Sequence, residues 1–213
     1  MQLLATQAMP QMRRHEHPHL GRLVTPRHYP STAEHPRELV WAADNDCFNG
    51  LDAPRWLAML ETLERTRDRG RLVFCTVPDV VADARATAEL FERWAPELER
   101  RELPLGLVLQ DGLEDLGAWL ERTWPRLAAV FVGGSDAFKL GEHARELVAD
   151  AKRRGLWAHV GRVNSYRRMR YAHEIGADSV DGTKWTRFRD AYLDGGLAYL
   201  ASLENQATLE LAA

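Results

Sequence analysis

Cysteine is scarce in this chain, and no long apolar run occurs. Only Cys47 and Cys75 are present among 213 residues, and they do not form a CxxC pair. A disulfide framework or a cysteine-ligated zinc site is therefore not expected, and the pattern is typical of a reducing compartment. No apolar run approaches the ~18 residues that a membrane-spanning helix needs. We expect a cytoplasmic protein that does not bind membranes.

An excess of charge of one sign is also lacking. The formal net charge is −3, and 45% of the residues are hydrophobic, which is ordinary for one globular domain. Residues 1–19 are polar, include His15, His17 and His19, and lack the apolar core of a signal peptide. We expect a flexible N-terminal leader over 1–19, with metal binding by these histidines as the lesser alternative. Residues 20–213 are expected to form a single domain.

From residue 20 onward, short apolar runs alternate with longer stretches of helical periodicity. The runs are rich in Val, Leu and aromatic residues and are bounded by turn formers, which is typical of buried parallel strands. The candidates are Leu23–Thr25, Leu39–Ala43, Leu72–Val77, Leu105–Gln110, Ala128–Val132, Trp157–Val160 and Asp178–Val180. This alternation predicts a parallel sheet with right-handed crossovers, either an open doubly wound sheet or a (β/α) barrel. A complete eight-stranded barrel is typically longer, at ~250 residues.

Polar residues follow most of these runs. Asp44, Asp79, Gln110, Gly133–Gly134 and Asp181 come at or just after predicted strand ends, where both architectures bind ligands. At any one position a turn-forming role explains such a residue, but their coincidence on one face favours an active site. Paired carboxylates suggest glycosyl transfer or a carboxylate metal site. These residues also suit a guanine-like base. A carboxylate can accept from the N1–H and N2–H groups of the base, and the Gln110 amide and the Gly134 N–H can donate to its ring carbonyl.

At these residues the sequence resembles the tRNA-guanine transglycosylase superfamily. It is most like the short phage and bacterial branch that inserts 7-deazaguanine bases into DNA. The segment that begins at Asp44 resembles the family's DSGGFQ, Leu107–Gly112 resembles IVQGG, and Phe131–Gly134 resembles the start of GGLxVGE. Residues His159–Gly161 and Gly176–Asp181 resemble MGVG and GxDMFD. The similarity covers about residues 20–190, with Asp46 and Cys47 in place of two glycines.

The resemblance implies a role for each of these positions. Asp181 would be the nucleophile and Asp44 the proton carrier, while Phe48 would stack on the base. The implied base-binding residues are Phe48, Asp79, Gln110, Gly133, Gly134 and Gly161. The implied fold is an α/β, compact TIM-like barrel, and the sequence allows for one reduced strand. The family's C-terminal CxCxxC…H zinc motif is absent from the sequence, so no zinc subdomain is expected.

The implied activity is base exchange through a covalent aspartyl-glycosyl intermediate, with no metal or organic cofactor. The expected partners are DNA and a free 7-deazaguanine such as preQ0. The same exchange on tRNA is the alternative, and the missing zinc motif favours DNA. If a phage encodes the protein, its location would be the host cytoplasm. A base within a duplex is out of reach, so a partner protein that opens the duplex is a further possibility, although the sequence shows none.

Basic residues concentrate between 152 and 189, with Tyr166, Tyr171 and Trp185 among them. Such a cluster on a slightly acidic protein indicates a phosphate-binding face, and a solvated helix face paired with Glu174 and Asp190 is the alternative. The cluster comprises Lys152, Arg153, Arg154, Arg162, Arg167, Arg168, Arg170, Lys184, Arg187 and Arg189. We expect Arg162, Arg167, Arg168, Lys184 and Arg187 to contact the nucleic-acid backbone.

Two further classes of function remain open. A metallohydrolase could use His159 with Asp44, Asp79 or Asp181, although a lone histidine in a strand is more often a core residue. A catalytically inactive nucleic-acid-binding relative is the second class. The joint presence of Asp44 and Asp181 argues against it.

Overall fold

The computed structural model describes residues 1–6, 17–28, 39–66, 69–187 and 190–212. Eight parallel strands close into a barrel in sequence order. The strands are β1 (Gln2–Ala5), β2 (Leu20–Val24), β3 (Trp41–Ala43), β4 (Leu72–Thr76), β5 (Leu105–Leu109), β6 (Ala129–Val132), β7 (Trp157–Val160) and β8 (Ser179–Asp181). The prediction of an α/β, TIM-like barrel is confirmed, and the predicted strands differ from the observed ones by at most a few residues.

Strand β1 corrects the N-terminal prediction. Residues 2–5 belong to the barrel, and they pair with β2 on one side and with β8 on the other. The flexible leader predicted for 1–19 is therefore wrong for this segment, and no strand is missing from the barrel. Leu3 and Leu4 are fully buried because the strand is covered on both edges and both faces. His15 lies outside the described residues, whereas His19 is buried.

Helices connect the strands and cover the barrel. Their bounds are α1 (Ala53–Arg65), α2 (Ala84–Arg100), α3 (Gly117–Thr123), α4 (Asp136–Lys139), α5 (Glu142–Arg153), α6 (Tyr166–Glu174), α7 (Thr183–Arg187) and α8 (Asp190–Ala212). The side chains of Asp52, Asp83 and Ser165 cap the backbone at the starts of α1, α2 and α6. Within the described ranges, no helix is long and apolar enough to cross a membrane.

Two apolar layers result from the alternation of side chains along each strand. One cluster includes Leu4, Leu23, Ala42, Phe74 and Ala129 inside the barrel, and a larger one fills the space between strands and helices. Because residues two apart point to the same side of a strand, the interior positions continue into the polar residues at the strand ends. Polar residues therefore form the upper layer of the barrel interior.

Candidate active site

One cavity lies at the carboxyl ends of the strands, and most predicted site residues line it. Its volume is about 440 Å³, which is in the usual range for small-molecule sites. Asp44, Phe48, Asp79, Gln110, Gly133, Gly134, Arg162 and Asp181 are among the lining residues. Residues more than 130 positions apart in the chain thus meet because parallel strands end at the same rim of the barrel.

Asp44 is a carboxyl group in an environment that disfavours its charge. It follows β3, and its Oδ1 lies 3.2 Å from the Thr76 hydroxyl, which donates to it. Burial raises the pKa of Asp44 to about 7, and the nearby charges of Asp79 and Asp181 add to the effect. Such a carboxyl can both release and take up a proton near neutral pH.

Asp79 is held by two amide donors, one on each carboxylate oxygen. Asn45 Nδ2 donates to Oδ1 at 2.8 Å, and Gln110 Nε2 donates to Oδ2 at 2.6 Å. Burial raises the pKa of Asp79, and the hydrogen bonds from the two amides oppose this rise. Each carboxylate oxygen keeps a second lone pair, so the group can still accept N–H donors from a ligand.

Gln110 and Asn45 are themselves oriented by the backbone. Gln110 Oε1 accepts from the Ala82 N–H at 2.9 Å, and Asn45 Oδ1 accepts from the Cys47 N–H at 2.8 Å. These contacts show which atom of each amide is the oxygen. If the amide were flipped, its NH2 group would face a backbone N–H, and two donors would oppose each other. Gln110 therefore supports Asp79 directly, in addition to its predicted position in the cavity.

Asp181 is the last residue of β8 and receives two hydrogen bonds on the same oxygen. His159 Nε2 and the Arg162 backbone N–H each lie 3.1 Å from Asp181 Oδ1. Among the described residues, none donates a hydrogen bond to Oδ2. Both donors come from β7 or the residues that follow it, so the orientation of this carboxylate depends on one neighbouring strand.

Arg162 bridges three parts of the cavity rim. Its backbone φ is 57°, a left-handed conformation that is uncommon for a residue with a Cβ atom. Its guanidinium donates to the Gly134 carbonyl at 2.5 Å and lies 5.3 Å from the centroid of the Phe48 ring. Phe48 is otherwise 63% exposed. Asp46 is also left-handed, with φ 58°.

The glycines of the site play different parts. Gly133 N–H bonds to the Leu109 carbonyl within the barrel. Gly134 has φ +69°, and a Cβ atom there would lie 2.5 Å from Asp111 Oδ2. Gly161 is not one of the cavity-lining residues, and its base contact stays a prediction. Its lack of a side chain instead makes room for the Phe131 ring.

Sequence reasoning missed several residues of the site. Asn45 and Thr76 contact the predicted carboxylates, and Thr6 lines the cavity from the segment predicted to be a leader. His159 was considered only as a metal ligand, and it forms a hydrogen bond with Asp181. Their polar character in or beside buried strands was the only available signal. Lys139 was also missed: it is buried, its Nζ has no hydrogen-bond partner among the described residues, and burial lowers its pKa to about 8.

The predicted basic cluster divides between the two ends of the barrel. Lys152, Arg153 and Arg154 lie where α5 ends, before β7, and they pair with Asp178, Asp150 and Glu121. They belong to the rim opposite the cavity, because the chain enters β7 there. The five predicted backbone-contacting residues, Arg162, Arg167, Arg168, Lys184 and Arg187, follow β7 or β8 on the cavity side.

Like Arg162, Arg168 and Lys184 have partners within the protein. Arg168 forms a bidentate ion pair with Asp136, and the Lys184 ammonium lies 5.4 Å from the Trp185 ring centroid. Arg189 lies outside the described residues. For the metallohydrolase alternative, no group of three or more potential metal ligands occurs in the part of the chain that the structure describes.

Comparisons with known proteins support the fold and nothing finer. Neither a protein-family model nor a curated sequence matches the chain. A native KDPGal structure is similar over 98% of this chain and 97% of its own, with a TM-score of 0.58 and 10% identity. The BexX/CysO complex of Amycolatopsis orientalis matches 82% of this chain and 70% of its own, with a TM-score of 0.50 and 18% identity. At such identities the similarity shows a shared fold alone.

Proposed function

We propose that this protein is a base-exchange glycosyltransferase that replaces guanine in DNA with a 7-deazaguanine such as preQ0. One observation carries the proposal: the Asp44 and Asp181 carboxyl groups line the same cavity, together with the linked pair Asp79 and Gln110. A nucleophile, a proton carrier and a reader of the guanine edge are the three functions that such an exchange requires. The similarity of these residues to the tRNA-guanine transglycosylase motifs supports the same conclusion.

In the first half of the reaction, Asp181 attacks C1′ of a deoxyguanosine. A bond forms between a carboxylate oxygen and C1′, while the C1′–N9 bond breaks and its electron pair goes to guanine. Protonated Asp44 gives its proton to the leaving base, which departs neutral. The pKa of about 7 for Asp44 makes its protonated form available near neutral pH. Asp181 is left as a covalent glycosyl ester.

In the second half, a free 7-deazaguanine occupies the position of guanine. Asp44, now ionised, removes the N9 proton, and the nitrogen attacks C1′. The ester bond to Asp181 breaks, so the carboxylate is regenerated and the proton again resides on Asp44. Both half-reactions are balanced without an oxidant, a reductant or a metal ion.

Recognition of both bases follows from the edge they share. Guanine and 7-deazaguanines present adjacent N1–H and N2–H donors, and the Asp79 carboxylate keeps one lone pair per oxygen to accept them. The Phe48 ring, 63% exposed at the rim, provides a stacking surface. The target nucleotide must be flipped out or single-stranded to reach the cavity.

The test is an exchange assay with labelled guanine or preQ0. Single-stranded DNA, duplex DNA and tRNA are supplied in parallel, and label in each nucleic acid is measured. We expect incorporation into DNA, and more into the single strand than into the duplex. Preferred incorporation into tRNA would identify the alternative substrate, while no incorporation into any of the three would refute base exchange.

Two variants test the assigned nucleophile. Asp181→Ala is expected to abolish incorporation, whereas Asp115→Asn, which changes an exposed carboxylate outside the cavity, should retain it. Denaturing electrophoresis of the wild type with DNA and no free base should reveal a covalent protein–DNA species. Activity of Asp181→Ala equal to wild type would show that another residue is the nucleophile.

A further inference from the structure

We propose that His159 is a positioning residue that holds Asp181 by one carboxylate oxygen and leaves the other to react. The proposal rests on the proposed function, because it concerns the nucleophile of that reaction. His159 is not among the residues that line the cavity. It acts through Asp181, and it is itself oriented by a chain of hydrogen bonds inside the barrel.

This chain of hydrogen bonds links four residues of β7 and β8. Trp157 Nε1 donates to Ser179 Oγ at 2.7 Å, Ser179 Oγ lies 2.8 Å from His159 Nδ1, and His159 Nε2 lies 3.1 Å from Asp181 Oδ1. His159 and Ser179 are register partners, and residues two apart on each strand share a face. The pairing of the two strands thus builds an unbroken path from Trp157 to Asp181.

Among the described residues, only one arrangement satisfies every donor along this path. The indole N–H of Trp157 can only donate, so it occupies one lone pair of Ser179 Oγ. Among the described residues, the remaining partner of Ser179 Oγ is His159 Nδ1, so the hydroxyl proton has no other acceptor there. Ser179 therefore donates to Nδ1, and His159 carries its proton on Nε2. That N–H faces Asp181.

The packing around His159 prevents the ring from turning. Its side chain has no exposed surface, and its ring centroid lies 4.4 Å from that of Phe131 and 5.4 Å from that of Phe74. The Nε2–H is consequently aimed before any substrate arrives. Preorganised donors of this kind cost no reorganisation during the reaction.

The consequence for Asp181 is a difference between its two oxygens. Oδ1 accepts from His159 Nε2 and from the Arg162 N–H, while the described residues donate nothing to Oδ2. The two hydrogen bonds stop rotation of the carboxylate. Oδ2 is then the oxygen that bonds to C1′, with its position set by donors on Oδ1.

The first experiment measures the tautomer directly on the wild-type protein. Long-range ¹H–¹⁵N NMR distinguishes Nδ1–H from Nε2–H imidazole, and the spectrum of His159→Gln assigns the His159 signals by their loss. We expect the Nε2–H form, observed without added ligand. An Nδ1–H form would overturn the proposed chain, whether or not the protein exchanges bases.

The second experiment measures the exchange reaction of three variants. His159→Leu removes the donor, and kcat should fall about 10- to 100-fold with little change in KM for the free base. His159→Gln offers an amide N–H near the Nε2 position and should recover part of that loss. Ser179→Ala leaves the imidazole in place but removes the group that selects its tautomer, so a smaller loss in kcat is expected together with a mixed tautomer signal.

The outcomes separate this proposal from the function on which it rests. Exchange by the wild type, together with equal kcat in folded His159→Leu and wild type, would refute the positioning role and leave base exchange intact. No exchange by the wild type on any nucleic acid would refute both the base exchange and the positioning role of His159 in it. If His159→Leu does not fold, the comparison of His159→Gln and Ser179→Ala with wild type still decides the matter, since equal kcat in both would refute positioning.

Discussion

The side-chain amide of Gln110 lies 2.6 Å from Asp79 Oδ2, so a neutral donor braces the carboxylate that is assigned to read the base. Gln110→Glu would replace that donor with an acceptor of the same shape. The two carboxyl groups would share a proton, and the capacity of Asp79 to accept from guanine would fall. We expect guanine affinity to drop about 100-fold, corresponding to about 3 kcal/mol.

Isothermal titration with guanine measures this loss. Gln206→Glu makes the same change at an exposed position of α8 and should leave the affinity unaltered. Equal guanine affinity of Gln110→Glu and the wild type would show that Asp79 does not depend on the Gln110 amide.

The elevated pKa of Asp44 predicts a pH-dependent cost in stability. Because the folded-state pKa is about 7 and the ordinary value is 3.8, the folded chain holds this proton more tightly than the unfolded chain. Stability is therefore lost as the pH rises through this interval. Asp44→Asn removes that loss, so the free energy of unfolding should change little at about pH 4 and should increase by about 4 kcal/mol above pH 7.

Urea unfolding at several pH values between these limits provides the measurement. The difference between Asp44→Asn and wild type should grow with pH and then level off above neutrality. The Asp115→Asn control should follow the wild type throughout. A difference that is independent of pH would mean that the Asp44 carboxyl ionises normally.

Thr76 offers a way to change the Asp44 proton equilibrium without touching the carboxyl itself. Its hydroxyl donates to Asp44 Oδ1 and lowers the Asp44 pKa against the effect of burial. Thr76→Val keeps the shape and removes the donor, so the pKa should rise further. We expect the acidic limb of the exchange rate, in which ionised Asp44 takes the N9 proton, to move to higher pH. If Thr76→Val is active and its pH–rate profile is unchanged, the ionisation of Asp44 does not cause the acidic limb.

Gly134 should be intolerant of any side chain, for two separable reasons. It has φ +69°, and an added Cβ would lie 2.5 Å from Asp111 Oδ2 and 2.8 Å from Phe138. Gly155→Ala is the matched control, with φ +74° and open space around the position. Thermal unfolding should show a loss of about 1 kcal/mol for Gly155→Ala and about 3 kcal/mol for Gly134→Ala. Equal losses would mean that the loop shifts to accept the methyl group.

Arg162 is the basic residue most closely placed at the cavity, and its removal should weaken binding of single-stranded DNA. We expect Arg162→Ala to reduce the slope of log Kd against log salt concentration by about 1. Arg154→Ala is the control, because Arg154 pairs with Glu121 at the opposite rim. Fluorescence anisotropy over a salt series tests both variants. If both variants reduce the slope equally, the DNA does not bind preferentially at the cavity rim beside Arg162.

The sequence alone determined an α/β fold with a parallel sheet and the main carboxylates of the cavity, while its resemblance to the transglycosylase motifs implied the barrel. Strand–helix alternation is encoded locally, and the polar residues at strand ends can be read because parallel strands deliver their carboxyl ends to one rim. Asp44, Asp79, Gln110 and Asp181 could therefore be predicted to lie together before any coordinates were known, and they do line one cavity.

Only the tertiary structure decided three features. They are the place of β1 in the barrel, the end of the barrel at which each basic residue lies, and the hydrogen-bond partners of each carboxylate. Gln2–Ala5 belongs to a polar N-terminal segment that predicts a leader, and it is a strand because β2 and β8 both pair with it. Likewise, the Asn45–Asp79–Gln110 network and the path from Trp157 to Asp181 depend on register between neighbouring strands. Register is a relation between distant parts of the chain, and a local pattern of residues does not contain it.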